Sequence, residues 1–158
     1  MRIGIGYDIH RFQEGRRLVL GGVAFPGETG LGGYSDADVL LHAVIDALLG
    51  AAGLGDIGQH FPPDDPAYED ASSLDLLDRT LALLRDANLS VESLDTTVIA
   101  ERPRLAPHIG LMCENIARAL DIPRDRVNVK ATTSEGLGAL GRGEGIAAMA
   151  VALLREAG

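Results

Sequence analysis

The segment DADVLLHAVIDALLGAAGL, residues 36–54, constrains the fold most, because so long an apolar stretch reads as a helix that must be buried against other elements. Ser35 is read as its N-cap, Asp36 and Asp38 favour the positive end of the helix, and Gly53 terminates it. Leu41, Ile45 and Leu48 form one apolar stripe. Asp38, His42 and Asp46, each four residues from the next, form a polar one.

The flanking segments supply strands and further helices. MRIGIGYDIH opens as an apolar strand, and RLVLGGVAF sets Gly21 and Gly22 between two short apolar runs, a tight-hairpin signal. Residues 55–72, GDIGQHFPPDDPAYEDAS, are rich in Gly, Pro and Asp and read as a long ordered loop or flap. A second helix begins near Ser73 with Leu74, Leu77, Leu81 and Leu84 on one stripe. SLDTTVIAE reads as a strand, PHIGLMCENIARALD as a helix entered at Pro107, and VNVKATT as a strand. IAAMAVALL, residues 146–154, is too uniformly apolar for periodicity to choose between a buried strand and a helix.

A chain of 158 residues is sized for one compact domain, and 46% hydrophobic against 4% aromatic residues predicts a core of Ala, Leu, Val and Ile. A net charge of -9 argues against a broad electrostatic grip on nucleic acid or an anionic membrane. Cys113 is the single cysteine and lies in an apolar pattern, so it reads as a small buried hydrophobe without a catalytic role. The opening lacks a signal-peptide pattern, and the longest apolar run is far short of the ~20 residues of a membrane span. A cytoplasmic location is the expectation.

GYDIHRF sets Asp8 and His10 two positions apart on a strand, where they share a face. With His42 they make a candidate three-ligand metal site that keeps a fourth position for water or a substrate oxygen. A hydrogen-bonded pair beside a structural helical histidine is the alternative. His60 and His108, beside loops and prolines, read as surface or hydrogen-bonding residues. KATTSEGLGALGRGEG, residues 130–145, gathers Thr132, Thr133, Glu135, Arg142 and five glycines. Its N–H groups, hydroxyls and guanidinium suit an anion, and Glu135 could hold a divalent ion on it. It matches neither a Walker loop nor a dinucleotide fingerprint, and an ordinary glycine-rich turn held by Glu135 and Arg142 is the competing reading.

Taken in order, GYDIHRF, YSDADVLLHAVIDALLGAAGLGDIGQHFPP, PHI, VNVKATTSEGLG and GRGEGIAAMAVALL closely resemble the 2-C-methyl-D-erythritol 2,4-cyclodiphosphate synthase family over nearly the whole chain. The resemblance implies a single α+β domain over residues 1–158, a two-layer sandwich with a mixed sheet packed on helices. It also implies a homotrimer with sheets facing the central axis and active sites between subunits. The implied activity is that of a phosphorus–oxygen lyase in non-mevalonate isoprenoid biosynthesis. It cyclises 4-diphosphocytidyl-2-C-methyl-D-erythritol 2-phosphate by attack of the substrate's 2-phosphate on the β-phosphorus, releasing CMP.

The resemblance carries roles onto individual residues. It implies zinc on Asp8, His10 and His42, with Asp8, Ile9 and His10 against the substrate, and Mg²⁺ or Mn²⁺ held by Glu135 with the diphosphate. Asp56, Ile57 and Gly58 meet the ribose, and Phe61, Pro62, Pro63, Asp64 and Asp65 cover the methylerythritol. Ala100, Glu101, Arg102, Pro103, Arg104, Leu105 and Ala106 form the cytosine and CDP pocket. Thr132, Thr133, Ser134, Ala139 and Arg142 complete the phosphate side, with Thr133 and Tyr34 in the catalytic positions and Ser35 on substrate. Tyr34 stands where the family commonly has histidine; its hydroxyl, with an ordinary pKa of about 10, donates a hydrogen bond but brings no cation near neutral pH. Ala139 replaces a bulkier, often aromatic residue.

Two other classes share these residues. A zinc-dependent hydrolase would use the same three ligands to activate water and yield linear phosphates. A non-catalytic trimeric module for an isoprenoid or nucleotide ligand would bind CDP-like compounds without turnover.

Overall fold

The computed structural model describes residues 1–158. The chain begins with strands β1 (Arg2–Gln13), β2 (Val19–Leu20), β3 (Val23–Ala24) and β4 (Gly30–Leu31), then helices α1 (Val39–Ala52), α2 (Ile57–His60) and α3 (Ser73–Asp86). Strand β5 (Leu89–Ile99), helix α4 (Ile109–Leu120), strand β6 (Val127–Thr132), helix α5 (Gly138–Gly141) and strand β7 (Gly145–Glu156) follow. The main sheet has the order β4-β1-β7-β5-β6, and it is mixed: β5 and β6 are parallel and the other neighbours antiparallel. Helices cover one face, so the architecture is the expected α+β sandwich.

Residues 146–154 are strand, not helix: β7 is the central strand, paired on both sides with β1 and β5. Ile146, Ala148, Ala150, Ala152 and Leu154 turn toward the helices and are buried, while Met149 and Val151 face outward. The same alternation runs along β1. Gly4 and Gly6 face α1, whereas Ile3, Ile5, Tyr7 and Ile9 emerge on the open face, 72% to 47% exposed. The sides turned toward the helices join one hydrophobic cluster of 39 buried residues, into which Cys113 packs.

The local signals at the glycines hold. Gly53 ends α1 in the left-handed region (φ 73), and Gly21 and Gly22 (φ 57 and 71) turn the β2–β3 hairpin, which forms its own two-stranded sheet. The N-cap of α1, however, is Asp38 rather than Ser35. Asp38 Oδ1 accepts from Leu41 N at 3.1 Å and from Gly21 N at 2.9 Å, and Oδ2 accepts from Gly22 N at 2.8 Å. Burial, and then the charge of Asp36, push its pKa up to about 6 against these three donors. Asp38 therefore points away from the polar stripe expected of it, fastening the hairpin to the helix.

Three further boundaries differ. Pro107 lies in a 3-10 turn, Ala106–His108, and α4 begins only at Ile109. The glycine- and proline-rich residues 55–72 contain α2 and a second 3-10 turn, Pro66–Tyr68. Along α3 the buried stripe is Leu76, Leu77, Thr80, Leu81 and Leu84, with Leu74 half-buried over Gly22.

The backbones of β1 and α1 meet at glycine. A Cβ at Gly6 would overlap the Ala43 carbonyl oxygen, and one at Gly4 the Ala47 carbonyl oxygen. Because backbone atoms cannot yield as a side-chain tip can, Gly6→Ala is expected to cost about 1–3 kcal/mol or more, read as a lower urea midpoint at unchanged m.

Candidate metal centre and adjoining cleft

Beyond Gly6 the next two inward positions of β1 are Asp8 and His10, and the next turn of α1 back from Asp46 presents His42. Asp8 Oδ2 lies 2.8 Å from His10 Nε2 and 3.0 Å from His42 Nδ1, and the two ring nitrogens are 3.2 Å apart. These edges are close to the ~3.3 Å edge of a tetrahedron with zinc–ligand bonds of 2.0–2.1 Å. The expected three-ligand set is thus assembled in one place.

The hydrogen bonds behind the cluster fix which atoms face it. His10 Nδ1 is 2.7 Å from the Gly32 carbonyl oxygen, which can only accept, so Nδ1 carries the proton and Nε2 presents a lone pair. His42 Nε2 contacts two hydroxyls, Ser35 Oγ and Ser73 Oγ, both at 3.0 Å. With its proton there, Nδ1 is likewise bare. A carboxylate oxygen and two imidazole lone pairs then converge, an arrangement satisfied by a cation or by an added proton. Burial works against the charged form of Asp8, but hydrogen bonds and charge from His10 and His42 hold its pKa well below the carboxylate range. Burial lowers the pKa of His10, and the Asp8 carboxylate with the Gly32 carbonyl outweighs it, so the net shift is upward from 6.5.

Supporting contacts seat the surrounding chain. Arg16 Nε donates to the Leu31 carbonyl at 3.2 Å, and its terminal nitrogens reach the Ser35 carbonyl and Asp70 Oδ1. It thereby clamps the Leu31–Ser35 turn that supplies Gly32 and Ser35. Asp46 Oδ1 accepts from Ile57 N at 2.8 Å, so it anchors α2 rather than lining up with His42 as a ligand. Burial raises its pKa despite this bond. Arg16, Asp36, Asp46 and Ser73 were not marked as site residues by sequence reasoning; their partners lie at sequence distances that no local pattern encodes.

A cleft of about 220 Å³ opens beside the cluster, lined by His10, Tyr34, Ser35, His42, Ile57, Gly58, Phe61, Pro63, Tyr68 and Leu76. It unites expected residues from the Tyr34–Ser35 turn, α2 and the flap. Tyr68 is an addition, packed edge-on to Phe61 at 5.5 Å between ring centroids. Burial, then Glu69, Asp65, Asp64 and Asp70, raise the pKa of the Tyr34 hydroxyl, which stays a protonated donor. Asp56 caps α2 through Gln59 N, Asp65 caps the following 3-10 turn through Ala67 N, and Pro62 and Asp64 lie on the rim segment between them.

The remaining expected residues gather around the ends of β5 and β6 and the glycine-rich turn. Ala100 N bonds the Thr132 carbonyl, Ser134 N donates to Glu101 Oε1 at 2.9 Å, and the Arg102 guanidinium stacks on Phe12 at 4.7 Å. Arg104 is exposed, Pro103 half-buried, Leu105 buried, and Ala106 opens the 3-10 turn. Thr133 Oγ1 accepts from the backbone of Glu135, a non-glycine residue in the left-handed region (φ 54). The glycine-rich turn is not held by Glu135 and Arg142: Arg142 pairs with Glu144 at 2.7 Å, because the α5 turn carries it past Glu135. Ile9 and Ala139 line a further cavity of about 560 Å³ with His10. Hydrogen bonds within this group close on one another, and none reaches the Asp8–His10–His42 cluster. His60 Nε2 bonds the Leu54 carbonyl and His108 packs on Phe25, in keeping with structural roles.

Fold and site together define a mixed α+β protein with a carboxylate–bis-imidazole cluster at the wall of a small-molecule cleft. The chain belongs to the YgbB family, whose sequence model matches residues 1–155. It is 60% identical over 156 residues to the 2-C-methyl-D-erythritol 2,4-cyclodiphosphate synthase of Geotalea daltonii, covering 99% of this chain and 91% of that one. A CDP-bound structure of 2C-methyl-D-erythritol-2,4-cyclodiphosphate synthase superposes with a TM-score of 0.89 at 38% identity, covering 98% of this chain and 100% of that one. The bifunctional IspDF of Campylobacter jejuni superposes at 0.94 with 42% identity, covering 98% of this chain and 42% of that longer one.

Because the pKa of His10 is raised, a cation entering the cluster displaces a proton from it over a range that begins above pH 6.5. Metal affinity is therefore expected to fall on acidification through that range, by about tenfold per pH unit once one proton is displaced. Chelator competition between pH 6 and 8.5 checks it. Metal-free protein behaves oppositely: the His10–Asp8 ion pair stabilises it below pH 6.5, and that contribution is lost as pH rises through the elevated value.

Proposed function

We propose that this chain converts 4-diphosphocytidyl-2-C-methyl-D-erythritol 2-phosphate to 2-C-methyl-D-erythritol 2,4-cyclodiphosphate with release of CMP, as a lyase of isoprenoid precursor synthesis. The observation that carries the reading is the convergence of Asp8 Oδ2, His10 Nε2 and His42 Nδ1 beside the cleft. Near-full-length identity to synthases of that name adds the substrate.

In the reaction a 2-phosphate oxygen bonds to the β-phosphorus as the bond from that phosphorus to the oxygen of CMP breaks; no protein nucleophile takes part. Zinc on Asp8, His10 and His42, with Mg²⁺ or Mn²⁺ on Glu135 and the diphosphate, would neutralise phosphate-oxygen charge. The chain's own groups align the reactants, which in such transfers is most of the catalysis. Tyr34 and Thr133 donate hydrogen bonds to the reacting phosphates, and Ser35 steadies the turn beside them. Ile57 and Gly58, held by Asp46, receive the ribose together with Asp56. Phe61, Pro62, Pro63, Asp64 and Asp65 close over the methylerythritol. Residues Ala100–Ala106 read the cytosine and CDP, and Thr132, Ser134 and Arg142 hold phosphate.

Residues 1–158 act as one domain, and three copies form the working unit with sheets turned to a common axis. Support comes from the open face of the sheet, where Ile3, Ile5, Tyr7, Ile9, Met149 and Val151 are exposed large hydrophobic side chains that no element of this chain covers. No helix is long and apolar enough to cross a membrane.

Incubating the zinc-loaded protein with the diphosphocytidyl substrate and Mg²⁺ is expected to give CMP and the cyclic diphosphate in equal amounts. Linear phosphate products would point to a hydrolase, and binding without turnover to a carrier. His42→Ala is expected to lower kcat/KM at least ~100-fold, with loss of bound zinc and an unchanged far-ultraviolet spectrum. For the assembly, Ile5→Glu is expected to convert a trimer to monomers by light scattering; a wild-type monomer would refute the trimer.

A further inference from the structure

His42 is the only ligand of the cluster whose far nitrogen rests on side chains. One of them, Ser73 Oγ, is 3.0 Å from His42 Nε2 and belongs to a fully buried residue at the start of α3. Its hydroxyl proton goes to Asp36 Oδ1 in a short hydrogen bond, and its backbone N–H goes to Asp36 Oδ2 at 2.9 Å. Having given its one proton to the carboxylate, Ser73 Oγ can only accept from His42. The other hydroxyl, Ser35 Oγ, already receives the Ala37 N–H at 3.3 Å and leaves the choice of tautomer open.

The same carboxylate joins two chain segments. Asp36 N donates to the Ala71 carbonyl at 3.0 Å, and Asp70 N donates to the Tyr34 carbonyl at 2.9 Å. The flap that contributes Phe61, Pro63 and Tyr68 to the cleft therefore returns against the Tyr34–Asp36 turn and ends at Ser73. The N-cap position of α3, Ser72, makes no side-chain capping bond, and Asp36 supplies the acceptor instead.

We propose that Asp36 and Ser73 are positioning residues of the metal centre, acting in series. Asp36 orients the Ser73 hydroxyl, and Ser73 holds His42 in the tautomer and ring orientation that leaves Nδ1 free for the ion. The proposal rests on the metal-centre reading above. Outer hydrogen bonds of this kind typically change metal affinity by about 10–100-fold. They also couple the seating of the flap to the seating of the ligand.

Ser73→Ala removes the acceptor and keeps the backbone bond to Asp36. It is expected to weaken zinc by about 10–100-fold in chelator competition and to shift the visible bands of the cobalt-loaded protein. The melting temperature of the metal-free protein should stay within a few degrees. The Asp36 carboxylate accepts from the Ser73 hydroxyl, the Ser73 N–H and the Asp38 N–H (3.1 Å), so Asp36→Asn turns an NH2 group toward one of these three donors and should weaken zinc less, in the same direction. Because Asp36 acts through Ser73, the double variant should bind zinc no more weakly than Ser73→Ala alone. Wild-type affinity and cobalt spectrum in Ser73→Ala, or additive losses in the double variant, would overturn the proposal and leave the metal centre standing. A wild-type protein that binds neither zinc nor cobalt would overturn both. If Ser73→Ala fails to fold, Asp36→Asn alone decides: unchanged affinity and spectrum refute the proposal.

Discussion

Everything at the site depends on how closely α1 lies on β1. Helices normally stand off a sheet by the thickness of their side chains. Here Gly4 and Gly6 face Ala43, Ala47 and Ala51, so backbone meets backbone. The next inward positions on the strand, Asp8 and His10, then arrive at His42 with no gap to bridge, and their atoms meet at 2.8 to 3.2 Å. Any side chain at Gly6 would lift the helix by a fraction of its own diameter, and a three-ligand cluster does not survive displacement on that scale. The glycines of the opening strand are as much part of the metal centre as its ligands.

The cluster stores unfavourable electrostatics that the rest of the fold opposes. Three lone pairs are held together by backing groups with only one way to bond: the Gly32 carbonyl behind His10 and, behind His42, a serine hydroxyl already committed to Asp36. Each group is in turn pinned, Gly32 through the turn clamped by Arg16 and Ser73 through the buried start of α3. This layered arrangement is what pre-organisation means physically: the cost of bringing the ligands together is met during folding, by the apolar core, and not at the moment of binding.

Such layering also explains what the sequence revealed and what it hid. Gly53, the Gly21–Gly22 turn and the Asp8/His10 pair were legible because each depends on neighbours within a few residues: a left-handed cap, a hairpin and a two-residue repeat. His42 could be named as a candidate third ligand from its residue type and helix, but its convergence on that pair needed the strand and helix to meet, which no local pattern encodes. The partners of Asp38 and Asp46 stayed hidden because four-residue spacing says only that they share a helical face with His42. It does not say that the hairpin claims one and α2 the other. The chain from Asp36 to Ser73 to His42 spans 37 residues in its first link, and nothing local marks it. β7 read ambiguously because its outward residues, Met149 and Val151, are as apolar as its inward ones, so the alternation present in its burial is absent from its sequence.

The charge distribution bears on what the cluster can hold. This is an acidic chain with a net charge of -9, and the charges of Glu69, Asp65, Asp64 and Asp70 help raise the pKa of Tyr34, which lines the cleft. None of the ten residues lining the cleft is lysine or arginine. A cation held between Asp8, His10 and His42 would therefore place positive charge in that wall, and the Arg79 guanidinium lies over the Tyr68 ring that forms part of it. Arg102, Arg104 and Arg142 lie instead around the ends of β5 and β6 and the glycine-rich turn. The Arg102 guanidinium nonetheless lies over Phe12, two residues past His10 on β1, and Ala139 shares a cavity with His10, so β1 links the two groups of residues within one chain.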